Sequence, residues 1–161
     1  MKTRYIFLIA LINFIFQSTW LQYFRLSGVL PNTSLILVVV FGALYGRNEG
    51  LYMALFTGIF QDLFLSKVLF INLMIYVVLA WIIGSFEESL FKDNFLTPLV
   101  ITSVSTVSYH IIWISFMYLF RSNIDHNLVT KVLVLETILN GIISVFIYGN
   151  VLKRIYGYGL R

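Results

Sequence analysis

The sequence predicts an all-α integral membrane protein of six transmembrane helices, and three observations lead there. First, 60% of the 161 residues are hydrophobic and only 11% are charged, whereas soluble domains carry about 25% charged residues. A water-facing surface cannot be built from so few charges, and the mean hydropathy of +0.91 points to lipid as the solvent. Second, lipid leaves every backbone N–H and C=O to be satisfied within the protein, so only helices or closed barrels span it. Third, the apolar residues fall in six continuous runs and do not alternate, which selects helices over barrel strands.

Composition also excludes several functions. There is no cysteine, so disulfides, thiol chemistry and cysteine-ligated metals are ruled out. The net charge of +4 sits at helix ends and forms no basic block, which gives a nucleic-acid partner no support. No repeat, linker or low-complexity stretch divides the chain, so residues 1–161 read as a single domain.

The first helix is expected over residues 5–24, about the 20 residues that a bilayer core requires. Lys2 and Arg4 before an apolar run resemble a signal peptide. The run lacks a small-residue cleavage site and continues to Phe24, so an uncleaved membrane helix is expected. Asn13, Gln17 and Trp20 share one face, which should pack against protein.

The stretch Pro31–Asp62 organises the rest. A second helix is expected over 30–45, with Pro31 in its first turn and Asn32, Thr33 and Ser34 able to cap its free amides. Gly42 and Gly46 form a small-x-x-x-small pair that lets another helix approach closely. The break Gly46–Gly50 is too short for a structured loop, so the second and third helices form an antiparallel hairpin. The third helix, over 51–65, carries Gly58 and ends near Asp62.

A weak break at Ser66-Lys67 precedes a fourth helix over 68–86, with Asn72 in its first turns. The charged loop 87–94 leads to a fifth helix over 95–120, with a Ser/Thr row and His110. A second loop over 121–131, containing Asp125 and His126, leads to a sixth helix over 132–152 with Glu136 and Asn140 on one face. Six spans place both termini on one side. Seven Lys/Arg residues fall on that side and four on the other, so the positive-inside rule puts the termini in the cytoplasm.

Asp62 is the sharpest functional candidate. An ionised carboxylate within a membrane helix is costly, so it marks an ion or proton site, or else it pairs with Lys67 or caps a neighbouring helix. His110 is a relay or a partner for the hydroxyl row. Glu136 and Asn140 line a polar pocket, dock a partner, or snorkel to the interface. No nucleophile, base and orienting group assemble into a pattern, and no metal-ligand spacing, P-loop or nucleotide fingerprint is present. No catalytic, cofactor or metal residue is therefore assigned.

The Pro31–Asp62 block resembles the rod shape-determining protein MreD family of bacteria. The shared features are Pro31, the aliphatic run 35–41, the polar break 46–50, Gly58 and Asp62. Where that family usually has a glycine about eight residues past the aspartate, this chain has Phe70. The resemblance implies a non-enzymatic component of the cell-elongation machinery in the cytoplasmic membrane, needing no cofactor. It would work with an MreC-like protein, the actin-like MreB and the peptidoglycan synthases of the rod complex. It also implies a fold similar to the substrate-binding subunits of energy-coupling-factor vitamin transporters. Such a subunit is the alternative function, but its Ala-x-x-x-Ala docking patch is missing, since Asn13 and Phe14 follow the single Ala10 of the first run. On either reading Pro31, Gly42, Gly46, Gly50, Gly58, Asp62, His110, Glu136 and Asn140 are the candidate structural, partner-contact or buried polar positions.

Overall fold

The computed structural model describes residues 3–66, 70–120, 126–157 and 159–160. Among the described residues the order is α1 (Thr3–Ser18), α2 (Thr33–Tyr45), α3 (Arg47–Phe64), α4 (Ile71–Ser85), α5 (Leu96–Leu119) and α6 (His126–Tyr156), with short 3-10 turns at Leu21–Phe24 and Glu87–Ser89. No strand occurs among them, so the all-helical expectation holds.

α2 is the axis of the bundle. Its run of Leu, Ile and Val is apolar on every face, as a fully surrounded helix must be, and all of it except Tyr45 is buried. α3 packs against α2 and α4, α5 pairs with α6, and α1 lies along α3.

The hairpin is tighter than the sequence suggests. Only Gly46 separates α2 from α3, with φ +88° and ψ −172°, a conformation that a side chain resists. Residues 47–50 are not a turn but the start of α3, with Glu49 in its first turn, where a carboxylate suits the helix dipole. The close approach is made by Gly42 with Gly50: a Cβ on Gly50 would lie 2.8 Å from Gly42 Cα. Gly46 instead serves the reversal. Two further glycines seat α4 on α3. A Cβ on Gly58 would lie 2.7 Å from Leu73 Cα, and one on Gly84 would lie 2.4 Å from Arg47 Cα.

Several boundaries move from those expected, each for a local reason. α1 ends at Ser18; the Thr19 N–H makes its last i→i−4 bond, to Ile15 O, and the Ser18 and Thr19 hydroxyls fold back onto the same carbonyl. The register of the expected inward face is lost there, so Gln17 is buried while Trp20 is exposed. A tight reversal follows, with Ser27 and Gly28 at positive φ and paired N–H···O bonds between Leu26 and Val29. α6 begins at His126 rather than residue 132, because nothing in His126–Lys131 breaks a helix. The remainder of that expected loop, 121–125 with Asp125, lies outside the described residues, as do Lys2, Lys67 and Arg161.

Among the described residues only α5 and α6 are long and apolar enough to cross a membrane by themselves. α1, α2 and α4 have 16, 13 and 15 residues, so α2 is only about 20 Å long at 1.5 Å per residue. α3 has 18 residues but carries Arg47, Glu49 and Asp62. The expectation of six full spans is met by two helices among the described residues, because α1, α2 and α4 end earlier than the apolar runs imply.

The bundle is apolar outside and partly polar inside. Ile12, Phe16, Leu63, Trp81, Val104, Ile142 and Phe146 are exposed, while Asp62, Asn72, Thr106, His110, Glu136 and Asn140 are buried. Charges gather at the end where α6 finishes. There Arg47 lies over the Trp81 ring, and Lys92 pairs with Glu87 and approaches the Tyr156 hydroxyl at 3.4 Å. Burial pulls the Lys92 pKa down, but hydrogen bonds to Glu87 and Tyr156 outweigh it and the net direction is up.

Candidate functional site

The buried polar groups form two connected clusters, both set by helix ends. The first is a clamp between α3 and α4. α4 starts after Phe70, which sits at φ +69° in the left-handed region and offers no side-chain cap. The free amides of the first turn are instead satisfied from across the interface. Asp62 Oδ2 accepts from Leu73 N at 2.8 Å, and Oδ1 accepts from Asn72 N at 3.3 Å and Asn72 Nδ2 at 2.7 Å. Asp62 is 2% exposed. Of the roles open to it in the sequence, the structure assigns capping of a neighbouring helix, and the carboxylate sits where the α4 dipole favours negative charge. Asn72 extends the cluster by accepting from Tyr109 OH at 2.6 Å and donating to Ser66 Oγ.

The second cluster fixes the start of α2. Asn32 caps the helix through Oδ1, which accepts from Leu35 N at 3.1 Å. Pro31 stands just outside that cap and not in the first turn. The Asn32 N–H donates to Asn140 Oδ1 at 2.8 Å, so α6 holds the entry to α2. Asn140 is fully buried and its Nδ2 donates to Thr106 Oγ1 at 3.1 Å, with Glu136 Oε1 at 3.5 Å. Glu136 Oε2 meets His110 Nε2 at 3.1 Å. Tyr76 OH approaches Gln61 Oε1 at 2.7 Å and Asn32 Oδ1 at 3.0 Å. A phenol has one proton, and the shorter contact assigns it to Gln61. From α1, Gln17 Oε1 accepts from Thr33 Oγ1 at 3.1 Å and Ser34 Oγ at 2.9 Å.

These side chains floor a cleft of about 370 Å³, lined by Gln17, Leu30, Pro31, Asn32, Gln61, Tyr109, His110, Trp113, Leu128, Val129, Val132 and Glu136. The residues come from the end of α1, the start of α2, the late turns of α3, the second half of α5 and the start of α6. The cleft therefore lies toward the end of the bundle away from the Lys92–Glu87 charges. Its floor is polar, and Leu30, Trp113, Val129 and Val132 give it apolar walls.

The structure thus brings Pro31, His110, Glu136 and Asn140 together around one cleft and its supporting network. Asp62 sits in the adjoining clamp, and Gly42, Gly46, Gly50 and Gly58 serve the helix crossings. Thr106 belongs to the Ser/Thr row that the sequence singles out, whereas the roles of Gln61, Tyr76 and Tyr109 were not foreseen. The available signal was tyrosine deep inside an apolar run, where a phenol needs a partner. Among the described residues no three His, Asp or Glu side chains converge as metal ligands. No family model, no curated protein and no solved structure matches the chain.

Proposed function

We propose that the chain is a non-enzymatic membrane component of the bacterial cell-elongation complex, similar in role to MreD-like proteins. It spans the cytoplasmic membrane six times with both termini in the cytoplasm. It binds an MreC-like protein and helps organise MreB and the peptidoglycan synthases.

The observation that carries this proposal is the Asp62 clamp. The residues that give the sequence its resemblance to MreD are those that build the α2–α3 hairpin and tie α3 to α4. Phe70 supports it from a second side, because its φ of +69° is the conformation that a glycine adopts freely, and that family usually has a glycine there. The membrane setting is supported by the apolar exterior and by the two long apolar helices α5 and α6. The short α2 is compatible with a membrane setting because the other helices surround it, so that it need not face lipid along its own length. The Arg47, Lys92, Lys153 and Arg154 cations lie toward the end assigned to the cytoplasm.

The cleft favours the alternative, a substrate-binding subunit of a vitamin-type transporter, since a concave site with a few convergent polar groups suits a small ligand. Purification of the tagged chain from native membranes in mild detergent, followed by mass spectrometry, separates the two. Recovery of an MreC-like protein or a peptidoglycan synthase is expected. Recovery of a transporter ATPase pair, with neither of those partners, would overturn the proposal.

A further inference from the structure

The cleft floor carries hydrogen-bond donors that the fold does not use. Gln17, Asn32 and Gln61 line it, and the oxygen of each carboxamide is engaged: Gln17 with Thr33 and Ser34, Asn32 with Leu35 N, and Gln61 with Tyr76. With the oxygens directed into the wall, each primary amide nitrogen is left with two N–H groups. None of these three nitrogens has a hydrogen-bond partner among the described residues, and none is among the buried atoms sealed from solvent without one. They therefore keep some solvent contact, and the cleft is the cavity that Gln17, Asn32 and Gln61 all line. Gln17 is 8% exposed and Asn32 is 6% exposed, so this is a recessed surface. Three unspent donors in an apolar recess exceed what a helix bundle needs for its own satisfaction.

The charge in the cleft narrows the ligand. Glu136 contributes a carboxylate that is held by His110 and Asn140. With the carboxylate already paired in this way, the groups left to a ligand are the neutral amide N–H groups of Gln17, Asn32 and Gln61, and an anionic or a cationic head group would be buried against them without a counter-charge of its own. An uncharged acceptor avoids that cost. Trp113, Leu30 and Val132 supply an apolar wall for the remainder of the molecule. The volume of about 370 Å³ is at the small end of ligand sites. The geometry points to the cleft as a binding site for a small uncharged molecule that presents a carbonyl-type acceptor, such as an amide or lactam, on an apolar body. This site stands independently of the rod-complex proposal.

The probes are ε-caprolactam, cyclohexanecarboxylate and cyclohexylamine, which have similar apolar bodies and neutral, anionic and cationic head groups. The protein is the full chain in nanodiscs, with Trp20→Phe and Trp81→Phe so that fluorescence reports Trp113 alone. Saturable millimolar binding of the lactam is expected, with clearly weaker responses to both charged probes. Gln61→Leu removes one donor while Tyr76 keeps Asn32 Oδ1, and it should weaken lactam binding about fivefold. Val132→Phe fills the cleft without removing a hydrogen bond and should abolish saturation. A linear lactam response, equal affinity for a charged probe, or full affinity in either variant would overturn the assignment. None of these results bears on the rod-complex proposal, which co-purification decides.

Discussion

Asp62→Ala tests whether α4 depends on a cap from another helix. The substitution removes the acceptor for Leu73 N at 2.8 Å, Asn72 N at 3.3 Å and Asn72 Nδ2 at 2.7 Å. A hydrogen bond to a charged acceptor contributes about 1.5–3 kcal/mol, and its loss leaves a buried donor unsatisfied. The Leu73 bond supplies that full amount. The longer Asn72 N contact supplies less, and Asn72 Nδ2 keeps Ser66 Oγ. Phe70 offers no substitute cap. The expected loss is therefore about 3–5 kcal/mol. Asp62→Asn keeps a carbonyl for Leu73 N and loses mainly the attraction to the helix dipole, so about 1 kcal/mol is expected. Equilibrium unfolding in mixed micelles measures both. Amide exchange locates the effect, since Leu73 should lose protection in Asp62→Ala while the α2 amides change far less. A loss below about 1 kcal/mol for Asp62→Ala, or unchanged Leu73 protection, would refute the clamp.

Four further outcomes are expected. Phe70→Gly relieves the left-handed strain at a residue 57% exposed and should raise stability by about 0.5–1 kcal/mol, net of the flexibility glycine adds to the unfolded chain; a drop in the unfolding midpoint would contradict this. Gly84→Ala places a Cβ 2.4 Å from Arg47 Cα, whereas Gly149→Ala meets only the flexible tip of Leu160 at 3.1 Å; the first should cost about 2 kcal/mol or more and the second well under 1 in the same assay. In a double-mutant cycle, His110→Phe should be partly rescued by Glu136→Leu, with a coupling of about 1–3 kcal/mol; additive effects would mean that the 3.1 Å contact does not join them. The raised Lys92 pKa means that its link to Glu87 contributes fully below the unfolded value of 10.5 and is lost as pH climbs past the folded value. Lys92→Met should accordingly flatten the stability profile above that pH, and an unchanged alkaline limb would count against the pair.

The sequence alone determined the helical class, because a chain with so few charges and continuous apolar runs has no other way to satisfy its backbone in lipid. It also determined the α2–α3 hairpin, since nothing as short as the break after Tyr45 can do more than reverse direction, and it narrowed the α2 cap to Asn32, Thr33 or Ser34, of which the structure uses Asn32. Glu136 and Asn140 could be paired in advance, as residues four apart share a helix face. Tertiary structure alone decided the rest. Gly42 meets Gly50 and not a partner four residues away, because which glycines touch depends on how two helices cross. Asp62 is a cap because α4 happens to begin beside it, and the sequence does not state which helix start lies across the interface. The same limit hid Gln61, Tyr76 and Tyr109. Their partners are supplied by other helices, and a cleft formed where five helices end has no linear signature.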